Sequence, residues 1–442
     1  MQRRLIATIT VLIVSMMLKP YVSWADLPYI QVPGSFRVDT GDTAWMLFST
    51  ALVMLMVPGL AFFYGGLVRR KNVLGTIIEG FAVLCVISVV WVLWGYSLSF
   101  GGDISGFIGG GDFLALLDVG QTPMQRAPSL PHYVPMAFQG MVAVVTVVLI
   151  TGALVERMRF SALLLFAVCW HTLVYCTVVH WVWGGGWLGG TLGALDFAGG
   201  IVVNISAGAA AVAALMVIGR RQGYGVSGMT PHNLPMAITG AALLWFGWFG
   251  FNAGSALRAG ATASVALMTT NTAASVGALT WMTLEWLHAG KPTALGIISG
   301  AVTGLVAITP AAGYVTLGPA MIIGTVAGVL CYVAVNLKHR LHYDDSLDII
   351  GIHVVGGMWG VLATGLFAST AVNAEVIDGL FYGNPPLLAI QSIAAVTVFV
   401  FVLVSTLLLL KAINCIIKLR VEAEEEITGL DQSQHGESAY RL

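Results

Sequence analysis

The sequence predicts an all-α, polytopic membrane protein with eleven transmembrane helices, built as two inverted five-helix repeats followed by a C-terminal helix. Three observations predict this class. Of the 442 residues, 57% are hydrophobic and only 9% are charged, whereas about 25% of the residues in a typical soluble domain are charged. Apolar runs recur along the whole chain, and Lys and Arg are concentrated in alternate loops. Lipid is therefore the solvent expected for most of the chain.

The first 25 residues have the pattern of a secretory signal peptide. A pair of arginines precedes the apolar run 5–18, and small residues occupy the positions one and three before a cut after Ala25. An uncleaved first transmembrane helix is the alternative, although the run is shorter than the ~20 residues that a span requires. We expect a signal peptide over 1–25, a membrane domain over 26–420 and a cytoplasmic C-terminal tail over 421–442.

Eleven apolar runs follow, each long enough to cross a ~30 Å hydrocarbon core at about 1.5 Å per residue. They cover residues 43–66, 73–100, 135–157, 160–183, 197–219, 232–256, 261–284, 293–311, 316–337, 347–369 and 386–417. If the first run passes from outside to inside, ten Lys and Arg lie in inner loops and three in outer segments. This asymmetry is what the positive-inside rule requires of an odd number of spans with the N-terminus outside and the C-terminus in the cytoplasm.

Charge and motifs exclude several function classes. The 20 Lys and Arg against 21 Asp and Glu give a net charge of −1, which leaves no basic face for nucleic acid. All five cysteines fall inside predicted spans, where they are expected to fill space rather than form disulfides or a thiolate metal site. The sequence contains no HExxH motif, nucleophile elbow or P-loop. We therefore expect no enzyme activity, no catalytic residue, no cofactor and no metal site.

Two pairs of similar segments lie five helices apart. Residues 61–66 end the first span as Ala-Phe-Phe-Tyr-Gly-Gly, and residues 249–254 end the sixth as Phe-Gly-Phe-Asn-Ala-Gly. Asp-Phe-Ala-Gly at 196–199 opens the fifth span, and Asp-Ile-Ile-Gly at 348–351 opens the tenth. An odd shift reverses the direction through the membrane, so these pairs predict an inverted repeat. Chance similarity between glycine-rich segments is the alternative.

The repeat brings one polar residue of each copy towards the middle of the membrane. At 1.5 Å per residue, Asn204 lies about 12 Å past Asp196, and His353 lies about 8 Å past Asp348 from the opposite side. Polar residues that meet at the midplane are typical of the permeation sites of transporters. His353 could instead be a neutral histidine satisfied by a neighbouring helix, and Asn204 could simply join helices. Asp196 and Asp348 are interpreted mainly as N-caps of the helices that they precede.

Six longer motifs carry a specific resemblance. They are GLAFFYGGLV at 59–68, GALVER at 152–157, DFAGG at 196–200, GWFGFNAGS at 247–255, ITPA at 308–311 and GLDQSQHGE at 429–437. With these motifs the mature chain resembles the ammonium transporter (Amt/Mep/Rh) family over nearly all its length, in its bacterial Amt form. The resemblance implies eleven helices in two inverted repeats, a homotrimer in the bacterial inner (cytoplasmic) membrane with one pore per subunit, and uptake of ammonium or ammonia.

The resemblance also implies roles for single residues. By motif, Trp183 and Ser255 match the outer site that recruits ammonium, and Asp196 matches the buried carboxylate that supports this site. Phe251 matches one ring of a stacked phenylalanine gate, and His353 matches the inner of two paired pore histidines. The chemistry agrees, because a Trp face attracts a small cation by about 0.5–2 kcal/mol. A dry pore then favours neutral ammonia and a separately conducted proton, since full desolvation of an ion costs tens of kcal/mol. Trp183 as an interfacial anchor is the alternative.

Two positions depart from the family pattern. Asn204 stands where the family normally has the outer pore histidine, and Val142 stands where it usually has the outer gate phenylalanine. Asn can form a hydrogen bond with His353, but it cannot take up and release a proton near neutral pH. The proton relay of the family is therefore in question for this chain.

Three functions remain open from the sequence. They are an ammonium transporter, an ammonium sensor that a separate partner would read, and a less selective monovalent-cation channel. The channel is favoured by Val142, which widens the gate, and by Asn204, which offers a carbonyl to a partly hydrated ion. The resemblance implies a PII-type signalling protein as a partner on the cytoplasmic face. The tail, with its acidic run 422–426, could equally be a solvated end.

Overall fold

The computed structural model describes residues 37–226 and 228–440, apart from the side chain of His339, and the predicted signal peptide lies outside them. The long helices are α1 (Thr40–Leu67), α2 (Val73–Val90), α3 (Tyr133–Leu154), α4 (Phe160–Trp170), α5 (Ser206–Ile218), α6 (Leu234–Gly254), α7 (Ala261–Ala289), α8 (Ala294–Ile308), α9 (Leu317–Leu341), α10 (Val355–Phe367) and α11 (Pro385–Ile416). Two short helices follow in the tail, α12 (Ala423–Thr428) and α13 (Leu430–His435).

Nine helical segments within the described residues are long and apolar enough to cross a membrane. Helix α7 falls outside this set because Thr and other small residues make its sequence less apolar, and α8 falls outside because it has only 15 residues. The prediction of an all-α, multi-pass membrane protein is therefore confirmed, with between nine and eleven apolar helices. Two antiparallel hairpins, 103–109 and 123–131, lie between the segments that contain α2 and α3.

Within residues 37–226 and 228–440, five π-helical turns accompany these helices, a feature that the apolar pattern does not predict. They are Trp91–Gly95, His171–Tyr175, Trp187–Thr191, Gly200–Ile205 and Ile350–Val354. The first two join α2 to Tyr96–Phe100 and α4 to Cys176–Val182. π-helical turns are rare and are frequently found at functional sites.

Helices α1 and α6 pack with their backbones in close contact because glycines line the interface. A Cβ atom on Gly240 would lie 2.2 Å from the backbone nitrogen of Phe63, and one on Gly66 would lie 2.5 Å from the backbone nitrogen of Ala237. No other residue fits either position without moving the helices apart. Small residues that let helix backbones approach are typical of packing within membranes.

Buried ion pairs hold together one end of the helices. Arg157 and Arg221 both contact the Asp344 carboxylate, at 2.8 Å and 2.7 Å, and Glu156 pairs with Arg69 at 2.8 Å. Burial alone would raise the pKa of Asp344, but hydrogen bonds from Arg221 and the charges of both arginines outweigh it and hold that pKa below its usual range. The network fixes the loops from which the helices emerge.

The tail is folded against this same end rather than solvated. The backbone nitrogen of Leu430 donates to the Asn72 side chain at 2.8 Å, and the backbone nitrogen of Gly75 donates to Asp431 at 2.8 Å. Arg420 and Glu426 form an ion pair of 2.8 Å, with the Glu426 side chain fully buried. The alternative of a solvated end therefore does not describe residues 420–431, which are held by these contacts.

Candidate functional site

A cavity of about 340 Å³ brings together three of the predicted site residues, Trp183, Asp196 and Ser255, and is called the outer cavity below after the side on which the Lys and Arg distribution is expected to place it. The indole nitrogen of Trp183 donates a hydrogen bond of 2.8 Å to the backbone carbonyl of Asp196, which fixes the plane of the ring. The Ser255 hydroxyl donates to the backbone carbonyl of Phe251 at 2.8 Å. Because its proton is used there, the lone pairs of the hydroxyl oxygen remain available to accept hydrogen bonds.

The Asp196 carboxylate accepts hydrogen bonds from four consecutive backbone N–H groups. Oδ1 accepts from Gly199 and Gly200 at 2.9 Å and 2.6 Å, and Oδ2 accepts from Ile201 and Val202 at 2.7 Å and 3.0 Å. An Asp at a helix start normally satisfies one or two such groups. Here the carboxylate satisfies the N–H groups at the start of the turn, so Asp196 has the predicted capping role, although it lies three residues before Gly199, which occupies the N-cap position.

This cap starts the π-helical turn that carries Asn204. Gly199 adopts a φ of 117°, which a residue with a side chain rarely adopts. The backbone nitrogens of Val203 and Asn204 then both donate to the Gly199 carbonyl, at 2.9 Å and 3.0 Å. The wider turn sets the direction in which the Asn204 side chain leaves the helix.

Asn204 and His353 meet in the protein core, as their positions in the sequence predict. The Nδ1 atom of His353 lies 2.9 Å from Oδ1 of Asn204, and both side chains are buried. Since the amide oxygen can only accept, this contact is a hydrogen bond when the imidazole carries its proton on Nδ1. In the neutral ring, Nε2 is then an acceptor. The amide nitrogen of Asn204 faces the Gly199 carbonyl at 3.5 Å, which orients the amide for this role.

The interpretation of Asp348 as an N-cap is wrong. Asp348 has a φ of 61° and its side chain pairs with Lys338. Asp345 is the capping residue instead, since its carboxylate accepts from the backbone nitrogens of Ile349 at 3.1 Å and Ile350 at 2.7 Å. A signal for this was present in the sequence, because Asp345 precedes His353 by eight residues, the same interval that separates Asp196 from Asn204.

The space beyond the histidine is narrow and then widens. A cavity of about 10 Å³, lined by His353 and apolar side chains such as Leu60 and Trp248, has room for about one water-sized molecule. A larger cavity of about 510 Å³ adjoins it and shares Phe63, Leu347 and Ile352 in its lining. Phe251 and Val142, the predicted gate residues, are buried, and Phe251 meets Trp248 edge-on with ring centres 5.6 Å apart.

Two further residues shape the outer half of the site. Gln391 is buried and binds both backbone groups of Leu195, accepting at 2.8 Å and donating at 2.7 Å, so it clamps the loop before Asp196 to α11. Arg126 enters the outer cavity from the second hairpin. Gln391 could have been found from the sequence, because a glutamine stands out within an apolar run. Arg126 could not, because an arginine in a loop gives no such signal. No cluster of His, Cys, Asp and Glu suited to a metal ion occurs in the part of the chain that the structure describes.

The comparisons with known proteins agree with this architecture. The sequence model of the Ammonium Transporter Family matches residues 44–440, almost all of the described chain. The chain belongs to the Ammonium Transporter Family. The family is one of membrane transporters, so the chain is not an enzyme, and its resemblance to ammonium transporters in sequence is confirmed.

Individual members of the Ammonium Transporter Family match over nearly their full length. An ammonium transporter of Bacillus subtilis is 50% identical over 402 residues, which cover 91% of this chain and 98% of that protein. The ammonium transporter Amt1 of Archaeoglobus fulgidus is 48% identical over 400 residues, or 90% of this chain and 99% of that protein. The crystal structure of Candida albicans Mep2 superposes with a TM-score of 0.84 at 36% identity and covers 91% of each chain.

We predict that Asp196→Asn destabilises the protein by about 2–6 kcal/mol. The amide can accept at one end only, so two of the four buried N–H groups would lose their acceptor at about 1–3 kcal/mol each. Thermal unfolding of the purified variant measures this. Asp39→Asn is the matched control, because Asp39 is an exposed N-cap of α1 that accepts from the backbone nitrogen of Asp42 alone, and Asn caps a helix about as well as Asp. Equal melting of the two variants would contradict the role assigned to Asp196.

Proposed function

We propose that the protein carries ammonium or ammonia across the bacterial inner (cytoplasmic) membrane, through a pore in each subunit. The observation that carries this proposal is the buried hydrogen bond between Asn204 and His353. It lies between the outer cavity, which Trp183 and Ser255 line, and the cavity of about 10 Å³ that His353 lines. Its family and the names of its relatives support ammonium as the substrate.

The outer cavity is proposed to recruit the ammonium ion. The fixed Trp183 ring offers its face to a small cation, an attraction worth about 0.5–2 kcal/mol. The Ser255 oxygen is free to accept a hydrogen bond from the ion, because its own proton is engaged with the Phe251 carbonyl. Asp196 supports the site without touching the ion, since its oxygens are already bound by four N–H groups.

The inner part is proposed to pass ammonia beyond a gate that includes Phe251 and Val142. Nε2 of a neutral His353 is an acceptor for an N–H group of ammonia, and the Asn204 amide keeps the ring in that tautomer. The Asn204 side chain cannot relay a proton to or from His353, because an amide has no titratable proton near neutral pH. Any proton that accompanies ammonia must therefore follow a route other than transfer between these two side chains.

The wider arrangement is part of the proposal. Eleven spanning helices would place the N-terminus outside and the tail in the cytoplasm, as the Lys and Arg distribution favours. The equal intervals from Asp196 to Asn204 and from Asp345 to His353 support two inverted five-helix repeats. A homotrimer and a PII-type partner at the tail are proposed on the family resemblance. The arginine pair, apolar run and small residues of the first 25 residues support removal of 1–25 as a signal peptide, which leaves the membrane domain of 26–420 and its tail, 421–442.

A less selective monovalent-cation channel is the second candidate. It is favoured by the small Val142 side chain at the gate and by the Asn204 carbonyl in the pore. An ammonium sensor is not favoured, because the relatives that match over nearly their whole length are named as transporters.

We predict ammonium-dependent current and methylammonium uptake in proteoliposomes that contain the full chain. Trp183→Leu should raise the KM for methylammonium by about 2- to 30-fold, the loss expected from a cation–π contact. Trp286→Leu is the matched control, since Trp286 is an exposed residue of α7 outside the cavities described above, and its KM should not change. Protein that binds ammonium and yet shows no flux would replace the transporter by the sensor.

We also predict that Asn204→His shifts selectivity towards ammonium and away from potassium. A second imidazole restores a titratable group beside His353, and it removes the amide carbonyl that a partly hydrated ion could use. Bi-ionic reversal potentials of both forms in planar bilayers measure the ratio of ammonium to potassium permeability. Equal potassium permeability in the two forms would defeat the selectivity claim.

A further inference from the structure

A pair of a histidine and an aspartate joins the first hairpin to the helix Cys176–Val182, which ends next to Trp183. The Nε2 atom of His180 lies 2.8 Å from Oδ1 of Asp103, and its Nδ1 atom lies 3.1 Å from the backbone carbonyl oxygen of Ser99. The His180 side chain is fully buried, whereas that of Asp103 is half-exposed. Neither residue belongs to the sequence motifs above or lines the outer cavity.

Both ring nitrogens of His180 face oxygen atoms that can only accept. A carboxylate oxygen and a backbone carbonyl oxygen carry no proton, so both contacts are hydrogen bonds when the imidazole is protonated on both nitrogens. His180 is then a cation that pairs with the Asp103 carboxylate. Hydrogen bonds from His180 and from the backbone nitrogen of Gly106 hold the pKa of Asp103 below its usual range, so this carboxylate keeps its charge at neutral pH.

His180 supports the loop 183–187, which carries Trp183 and is called the Trp183 loop below. The backbone nitrogen of Gly186 donates to the His180 carbonyl at 2.9 Å. A Cβ atom on Gly184 would lie 2.5 Å from Nδ1 of His180, so the backbone of the loop packs directly on the imidazole. The ring therefore limits the path that the chain can take after Trp183.

Asp103 holds the same loop through the turn of the first hairpin. Its Oδ2 atom accepts from the backbone nitrogen of Gly106 at 2.9 Å, and the Gly106 carbonyl accepts from the backbone nitrogen of Trp187 at 3.2 Å. One carboxylate thus contacts both supports of the Trp183 loop, the imidazole of His180 at its start and the hairpin turn at its end.

We propose that Asp103 and His180 are positioning residues of the recruiting site, and that their ion pair fixes the orientation of Trp183 towards a cation. This rests on the proposed function, because it takes Trp183 as part of the site that recruits ammonium. Neither side chain touches the ion, and both act through the Trp183 loop. Loss of the pair therefore weakens recruitment and leaves the passage beyond the site unchanged.

The effect of losing the pair is bounded by the effect of losing the ring that it positions. A cation–π contact is worth about 2- to 30-fold in affinity, so the KM of Asp103→Asn should not exceed that of Trp183→Leu. The hydrogen bond from the indole to the Asp196 carbonyl and those from Arg126 to the loop still hold the ring in part. We expect the lower part of that range, a rise of about 2- to 10-fold.

The experiment measures methylammonium uptake by cells without other ammonium transporters. Asp103→Asn removes the charge at a half-exposed position and keeps the shape of the side chain. Its KM should rise, while its maximal rate per transporter in the membrane should not change. Asp118→Asn is the matched control, because Asp118 is an exposed aspartate between the two hairpins and forms no ion pair among the described residues. Its KM should match that of the wild type.

Two double variants separate positioning from a general structural role. If Asp103 acts through Trp183, the addition of Asp103→Asn to Trp183→Leu should leave the KM at the value of Trp183→Leu alone. If Asp103 acts as a pair with His180, the double variant of Asp103→Asn and His180→Gln should have a KM no higher than the worse single variant. Independent structural damage would instead multiply the effects of the two changes.

The charge of His180 is measured separately, by solid-state NMR of the full chain in lipid bilayers with ¹⁵N-labelled histidine. The signals are assigned by their loss in His180→Gln. In the wild type, both ring nitrogens should be protonated at the pH of the uptake assay. In Asp103→Asn, Nε2 should be bare, because a neutral amide no longer favours the cationic ring. A loss of packing alone would not remove this proton.

The inference fails while the transport proposal stands if Asp103→Asn keeps the wild-type KM, or if its effect persists in the Trp183→Leu background. It also fails if the wild-type His180 ring carries a single proton, and this measurement decides if Asp103→Asn does not reach the membrane. If the wild type shows neither uptake nor stabilisation by ammonium chloride in thermal unfolding, the proposed function fails as well.

Discussion

Both halves of the candidate pathway depend on a carboxylate that caps a helix from inside the protein. A buried carboxylate is costly unless hydrogen bonds satisfy it, and Asp196 meets that demand with four backbone N–H groups. Asp345 does the same with two. Each cap fixes where a π-helical turn begins, and each turn carries one member of the polar pair, Asn204 or His353, to the centre of the fold.

The pair determines which chemistry the narrow part of the site can support. Asn204 accepts a hydrogen bond from Nδ1–H of His353. The two side chains are therefore in contact, but the amide cannot take up the proton of the imidazole near neutral pH. With room for about one water-sized molecule beyond it, the site suits a small neutral guest better than a hydrated ion. The transport proposal and the channel alternative differ in how strongly the site favours a small neutral molecule over a partly hydrated ion.

Much of the fold could be predicted from the sequence, and the misses have physical causes. Apolar runs gave the helices, because lipid demands about twenty apolar residues per span, and the meeting of Asn204 with His353 followed from counting rise per residue. Asp348 and Asp196 begin similar tetrapeptides, which predicts the same role for both. The capping carboxylate is instead that of Asp345, which lies eight residues before His353, as Asp196 lies eight residues before Asn204. The position of Arg126 in the lining of the outer cavity could not be predicted, since a hairpin between spans has no sequence periodicity that shows which helix ends it contacts.

The most direct test of the account is the protonation of the His353 ring. Solid-state NMR of the protein in lipid bilayers, with ¹⁵N-labelled histidine and the signal assigned by its loss in His353→Gln, reports each ring nitrogen separately. The account predicts a protonated Nδ1 and a bare Nε2 at neutral pH. A ring protonated on Nε2, alone or together with Nδ1, would contradict it, because Asn204 would then not set the tautomer on which the proposed passage of ammonia depends.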